Sequence, residues 1–423
     1  MSAHPETSLS PSEMLTQRTK CRACDSTNLV LFLNLGELPL ANSFLRAEEL
    51  CQAEPRFPLE VFFCDDCSLV QLLHVVHPEI LFSNYLYRTG TNQTIARHNA
   101  ALAETAIDRL RLSSEDLVVE IGSNDGSLLG CFRERGVRTV GIEPAKNIAE
   151  IARAAGIETL DLFFDGRSAE VLVQRYGPAS VVIANNVLAH VDATLDFLAA
   201  CKRVLRPQGC VIIEVPYLVE LLERLEYDTI YHEHLSYFSI TSLTRLFAEV
   251  GLTLERIDRI EIHGGSLRLW ARPGGDSKHA HSVQRMAEGE RKAGLASIDR
   301  YQRFARGVEQ HRERLLALFG RLKSDGKSIV GYGAPAKGNT LLCYCGIGTD
   351  LLPYTVDRSP LKVGLYTPGT YIPVLPVERI LSDQPDYVLL LAWNFAEEIM
   401  KSLEAFRQRG GHFILPLPEP VIL

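Results

Sequence analysis

Leu117–Gly126 reads LVVEIGSNDG: an apolar strand runs straight into a turn bracketed by glycines, and the residues that follow take up helical spacing. Strand, glycine turn and helix in that order open a doubly wound α/β sheet. Working outward, strands are expected at 117–121, 138–143, 157–160, 180–185 and 210–215. Helices are expected at 126–135, 146–155, 194–205 and 241–250, and an antiparallel pair at 253–262 and 266–271. In such a sheet ligands bind at the carboxyl ends of the strands.

The turn places Glu120, Gly122, Asn124 and Gly126 in an E-x-G-x-N-x-G spacing, and Glu143 closes the second strand 23 residues after Glu120. Gly122 permits close backbone approach to a ligand, and Glu143 is placed to accept hydrogen bonds from ribose hydroxyls. The spacing is not the dinucleotide G-x-G-x-x-G and resembles the cofactor loop of class I S-adenosylmethionine-dependent methyltransferases. A divergent NAD loop, or a glycine turn that serves packing alone, also fits these residues.

Two further connections reach the same sheet edge. Asn185, Asn186 and His190 follow the fourth strand, and Tyr227–Ser239, YDTIYHEHLSYFS, follows the fifth. That stretch carries two histidines, a glutamate, an aspartate and three tyrosines, with neither helical nor strand periodicity. It is a solvated polar loop or a loop that does chemistry, and its place beyond the fifth strand, beside His190, favours chemistry by Tyr231, Glu233 and His234. His232 is expected to be structural. His263-Gly264-Gly265 reads either as a plain hairpin turn or as a wall of the pocket.

Residues 1–18 read as a disordered leader. Cys21-x-x-Cys24 and Cys64-x-x-Cys67 form two knuckles with 39 residues between them. Four thiolates so paired close a tetrahedron around one zinc ion with no open position, which makes the metal structural; free or redox thiols are the other reading. Residues 273–327 read as a linker followed by an amphipathic helix. A second α/β unit has strands at 327–332, 354–357, 387–392 and near 412–415. Its first strand enters GYGAPAKGNT, in which Gly333, Lys337, Gly338 and Asn339 form a glycine-rich turn before a helix, and Asp357 closes the second strand. Such a turn offers amides and a helix amino terminus to a phosphate, Lys337 adds charge, and Asp357 is a second ribose acceptor. The expected division is therefore 19–90 (zinc), 91–273 (cofactor) and 274–423 (nucleotide).

At 423 residues, 46% hydrophobic and 23% charged, the chain is globular and too long for one core. A net charge of −8 and the lack of a basic stripe argue against a nucleic-acid partner. No apolar run is long enough to span a membrane, and a cytoplasmic protein with reduced or metal-bound cysteines is expected.

Taken together, the knuckles, EIGSNDGSL, NNVLAHV, YHEHLSYFS and GYGAPAKGNT stand in the order seen in the sugar C-methyltransferases of deoxysugar biosynthesis, which the chain resembles from about residue 20 to its end. The resemblance implies a central S-adenosylmethionine domain flanked by a zinc domain and a carboxyl-terminal domain. It implies a TDP-linked 4-keto-6-deoxysugar methylated at carbon, most often C3, with Tyr85, His190, Tyr231, Glu233 and His234 around the sugar and His234 as base. An NAD-dependent nucleotide-sugar epimerase or oxidoreductase, and a zinc-containing protein that binds a nucleotide sugar without reacting it, are the competing readings. Oligomeric state is left open.

Overall fold

The computed structural model describes residues 11–82, 90, 93–262, 264–275 and 280–423. Tyr85 and His263 therefore lie outside the described residues. At the amino-terminal end, β1 (Leu29–Leu38), β2 (Phe57–Cys64) and β3 (Val70–Leu72) form an antiparallel meander.

The central unit begins with helix α1 (Gln93–Leu110) and alternates β4 (Leu117–Ile121), α2 (Ser127–Glu134), β5 (Arg138–Ile142), α3 (Lys146–Ala154), β6 (Thr159–Leu160), α4 (Gly166–Tyr176), β7 (Ala179–Asn185), α5 (Thr194–Val204) and β8 (Leu205–Pro216). Every residue of Leu117–Ile121 is buried, as a parallel strand covered by helices on both faces requires. Val118, Ile183, Ile212 and Trp270 pack with Leu102, Leu129 and Phe132 on one face. Val119, Ile121, Val182 and Ile213 pack with Phe197 and Leu198 on the other.

The base-loop candidate supplies β9 (Ser236–Tyr237) before α6 (Ile240–Glu249), and β10 (Leu252–Ile260) and β11 (Ser266–Pro273) follow. The seven-stranded order is β10-β11-β8-β7-β4-β5-β6, parallel except where β11 meets its two neighbours. Strand β9 does not join this sheet. It pairs antiparallel with β3, so the meander gains a fourth strand from the central unit.

The stretch expected as a linker instead holds helix α7 (His281–Lys292), ahead of the expected long helix α8 (Ile298–Ser324). Its register is set by Glu290, which is 2% exposed. Its carboxylate accepts hydrogen bonds from Ile240 N at 2.6 Å, Thr241 N at 3.1 Å, Thr241 Oγ1 at 3.0 Å and Tyr217 Oη at 3.0 Å, so α7 caps the amino terminus of α6. Helix α8 ties the units together. Tyr301 stacks on Phe63 with ring centroids 4.6 Å apart, and His311 accepts from Tyr227 Oη at 3.0 Å while donating to Pro416 O at 2.7 Å.

The carboxyl-terminal sheet contains β12 (Ile329–Tyr332), β13 (Thr355–Asp357), β14 (Val374–Pro376), β15 (Tyr387–Leu390), β16 (His412–Leu415) and β17 (Val421–Ile422), with helix α9 (Ala336–Cys345) after β12. Its order is β14-β13-β12-β15-β16-β17, with only the last pair antiparallel. No helix among the described residues is long and apolar enough to cross a membrane.

Replacing Glu290 with alanine strands buried amide and hydroxyl donors at the head of α6. Urea unfolding is expected to show a loss of about 3 kcal/mol; a loss near zero would mean that the cap is dispensable.

Candidate active site

The four knuckle cysteines bring their sulfurs within 4.8 Å of one another. Cys21 Sγ lies 3.5 Å from Cys67 Sγ, and Cys24 Sγ lies 3.6 Å from Cys64 Sγ. A tetrahedron with Zn–S bonds of about 2.3 Å has edges of about 3.8 Å, so the set fits zinc with no position left open. Around the sulfurs, Gln71 Nε2 donates to Cys21 Sγ at 3.1 Å. Arg22, inside the first knuckle, is 4% exposed and reaches out of the zinc module. Its guanidinium donates to Leu235 O at 2.7 Å and to Asp192 at 3.2 Å.

At the carboxyl edge of the central sheet, Gly122 has φ +65°, and a Cβ there would meet Val187 at 2.6 Å. Glu143 accepts from Asn124 N and from Ala145 N, both at 2.9 Å, and so holds the glycine turn. Burial raises its pKa above the usual carboxylate value despite the two amides. Gly126 also has positive φ and abuts Ile157. Glu120 is buried with Oε2 unpartnered; burial, then the charges of Glu143, Asp125 and Glu214, push its pKa well up. Asn185 Oδ1 is likewise buried and unpartnered. Asn186 adopts φ +56° and donates its amide to Glu214 O at 2.8 Å. These orphaned oxygens fit a ligand that brings hydrogen-bond donors, such as the ammonium of S-adenosylmethionine.

One cluster at this edge escaped the sequence reading. Glu214 accepts from Arg268 Nε at 2.6 Å and is bonded to His98 Nε2 at 2.7 Å. The acid at the end of the fifth strand was a visible signal; its partners, 116 and 54 residues away in the chain, were not.

Beyond β8, Tyr227–Ser239 is held on both sides. Leu235 donates its amide to Ala189 O at 2.7 Å, next to His190, and accepts from Leu72 N at 3.0 Å. Within it, His234 Nδ1 donates to Thr229 O at 2.8 Å, which leaves Nε2 to accept from Tyr231 Oη at 2.9 Å. Burial brings the His234 pKa down to about 4; the Thr229 carbonyl opposes the shift and the Lys337 ammonium adds to it. The ring of His190 meets that of His234 edge-on at 4.9 Å, and burial also holds His190 neutral. Glu233 accepts from Asn42 Nδ2 at 2.6 Å, a partner from the zinc module. His232 points away, its Nε2 bonded to Phe57 O at 3.1 Å, in a packing position.

The second glycine turn repeats the construction of the first. Gly333 has φ +93°, and Asp357 accepts from Ala334 N at 2.7 Å and from Ser359 N at 2.8 Å. Asp357, expected as a ribose acceptor, is thus occupied with its own turn. Gly338 lets α9 approach Leu391, and Asn339 Nδ2 is turned to Ala41 O of the zinc module at 2.7 Å. Lys337 extends away from this turn, its Nζ 4.4 Å from the Trp393 ring centroid. Lys362, not singled out in the sequence, donates to Ala334 O at 2.8 Å.

Against known proteins, residues 21–82 match a zinc binding domain, 95–257 a methyltransferase domain and 261–418 a C-methyltransferase C-terminal domain. C-methyltransferase NovU of Streptomyces niveus is 38% identical over 405 residues, which cover 96% of this chain and 96% of that protein. The chain belongs to the C-methyltransferase family. As a C-methyltransferase it is an enzyme, with S-adenosylmethionine as methyl donor and a structural zinc, and the nicotinamide and non-catalytic readings fall away. A ubiquinone biosynthesis O-methyltransferase of Burkholderia pseudomallei is 24% identical over 163 residues, 34% of this chain and 68% of its own length. The solved magnesium protoporphyrin IX methyltransferase of Synechocystis is 14% identical over 43% of this chain and 87% of that one, with a TM-score of 0.34, too low to bear on the fold.

Burial also lowers His232 from 6.5 to about 4, so the unfolded chain binds its proton more readily than the folded one, and this contribution to stability is lost as pH falls from above 6.5 towards 4. The stability advantage of the unaltered enzyme over His232→Asn is therefore expected to narrow by about 2 kcal/mol between pH 8 and pH 5 in urea titrations. A constant difference would show that His232 titrates normally in the fold.

Proposed function

We propose that this C-methyltransferase methylates the carbon next to the keto group of a TDP-linked 4-keto-6-deoxysugar, at C3, through an enolate. The observation that carries the reading is His234, held neutral by burial, with Nδ1 fixed on Thr229 O and the Nε2 lone pair facing a hydrogen-bond donor. A carbon acceptor is not nucleophilic until a proton beside a carbonyl is removed, and a neutral imidazole of fixed tautomer is suited to remove it. S-adenosylmethionine supplies the electrophilic methyl group.

In this scheme Tyr231 guards the lone pair until substrate arrives, and its hydroxyl then turns to the carbonyl oxygen. The C–H proton passes to His234 Nε2, and the electron pair moves onto that oxygen. His190 and Tyr231 donate to the developing charge. Glu233, oriented by Asn42, accepts from a sugar hydroxyl, and the family resemblance assigns Tyr85 to the sugar as well. Glu120 and Asn185 face the donor's ammonium, with Gly122, Asn124, Gly126, Glu143 and Asn186 shaping its cradle. Gly333, Gly338 and Asn339 open the second edge to the nucleotide diphosphate, with Asp357 holding that turn. Support for a TDP-sugar comes from the order of sequence motifs and from a second nucleotide-type turn in the carboxyl-terminal unit.

With the methyl donor withheld, the enzyme is expected to exchange one sugar proton with deuterium oxide. His234→Asn should lower that rate by at least 100-fold. Exchange that survives unchanged in the variant would remove His234 as the base.

A further inference from the structure

Lys337 stands in a glycine-rich turn suited to a phosphate, yet its side chain leaves that turn. It crosses to the base loop and lies over Trp393, whose Nε1 donates to Asp228 Oδ2 at 2.7 Å. Asp228 belongs to Tyr227–Thr229, the helical turn whose last carbonyl fixes the tautomer of His234. The ammonium is thus stationed beside the loop that carries the base.

Its electrostatic surroundings agree. Glu226 and Asp228 are 4% and 0% exposed, and each keeps one buried carboxylate oxygen without a partner. Burial raises both carboxyl pKa values and lowers that of Lys337; attraction between the ammonium and each carboxylate opposes these shifts, while the charge of Asp228 pushes Glu226 further up. The Lys337 ammonium lies 4.4 Å from the centroid of the Trp393 ring and is attracted by both carboxylates. Burial is the main cause of the low proton affinity of His234, and the Lys337 charge adds to it. A cation there stabilises an anion formed when the base takes a proton.

We propose that Lys337 is a catalytic residue of the methyl transfer, with its ammonium facing the substrate oxygen on which the enolate charge develops. The assignment rests on the enolate reading given above. When the C–H bond breaks, the proton goes to His234 and the electron pair to the carbonyl oxygen opposite Lys337. The enolate carbon then forms the C–C bond as the methyl group leaves sulfur, and the carbonyl is restored. Trp393 and Asp228 hold the lysine in place as positioning residues.

Lys337→Met, Lys337→Arg and the double variant Lys337→Met/Asp228→Asn separate this role from two others. Each would be assayed, beside the unaltered enzyme, for deuterium exchange without methyl donor and for methyl transfer at saturating TDP-keto-deoxysugar. The assignment predicts that Lys337→Met loses exchange and kcat together by about 100-fold or more, as for removal of an oxyanion donor. It also predicts that KM changes by less than about threefold, that Lys337→Arg recovers part of the rate, and that the double variant recovers none. A raised KM with kcat intact would make Lys337 a diphosphate anchor, and recovery in the double variant would make it a structural counter-charge; either overturns the proposal. Failure of the unaltered enzyme to exchange would instead overturn the enolate itself, and this assignment with it.

Discussion

The rest of the site depends on one short antiparallel pairing, Ser236 and Tyr237 against Gln71 and Val70. Through it the loop that carries Tyr231, Glu233 and His234 becomes the outer strand of the zinc module's sheet. Gln71 also donates to Cys21 Sγ and accepts from Arg22, and Arg22 reaches Leu235 O between His234 and the strand. A metal that closes the four sulfurs thereby fixes the backbone of the loop bearing His234, with no coordination position left open. Leu235 N on Ala189 O ties the other side of the loop to the turn bearing His190.

Two α/β edges face this loop, and both are built by one device. In each, an acid at the end of the second strand accepts the amide of the glycine turn after the first, Glu143 from Asn124 and Asp357 from Ala334. Both turns are thus preorganised by their own carboxylates before any ligand binds, which reduces the ordering cost of binding. The edges differ in what they leave unsatisfied. The central one presents orphaned acceptors, Glu120 and Asn185, suited to a cationic ligand. The carboxyl-terminal one presents an opened backbone at Gly333, with Lys362 held on Ala334 O and Lys337 turned away towards Trp393.

Much of this was legible in the sequence, for physical reasons. Buried parallel strands such as Leu117–Ile121 require continuous apolar, β-branched runs, and zinc requires paired thiolates at short spacing, so both leave local signatures. Helix α7 left none, because it buries little besides Val283 and Glu290, and its role is to cap another helix with a charge. The contacts that assemble the site were also hidden. Asn42 with Glu233 and Arg22 with Leu235 join residues 191 and 213 positions apart, and no periodicity encodes such pairs. Lys337 shows the same limit in another form: its turn was recognised, but the direction of its side chain is decided by Trp393 and by buried acids on a different unit.

The central claim, that three units converge to make a sugar carbon nucleophilic, is tested most directly by where the methyl group goes. Purified enzyme given ¹³C-methyl S-adenosylmethionine and a TDP-linked 4-keto-6-deoxysugar would be followed by mass spectrometry and carbon–proton correlation. The account predicts a gain of one methyl group, bonded to C3, with the neighbouring carbonyl retained. A methyl group found on oxygen, or on a carbon not adjacent to the carbonyl, would contradict it.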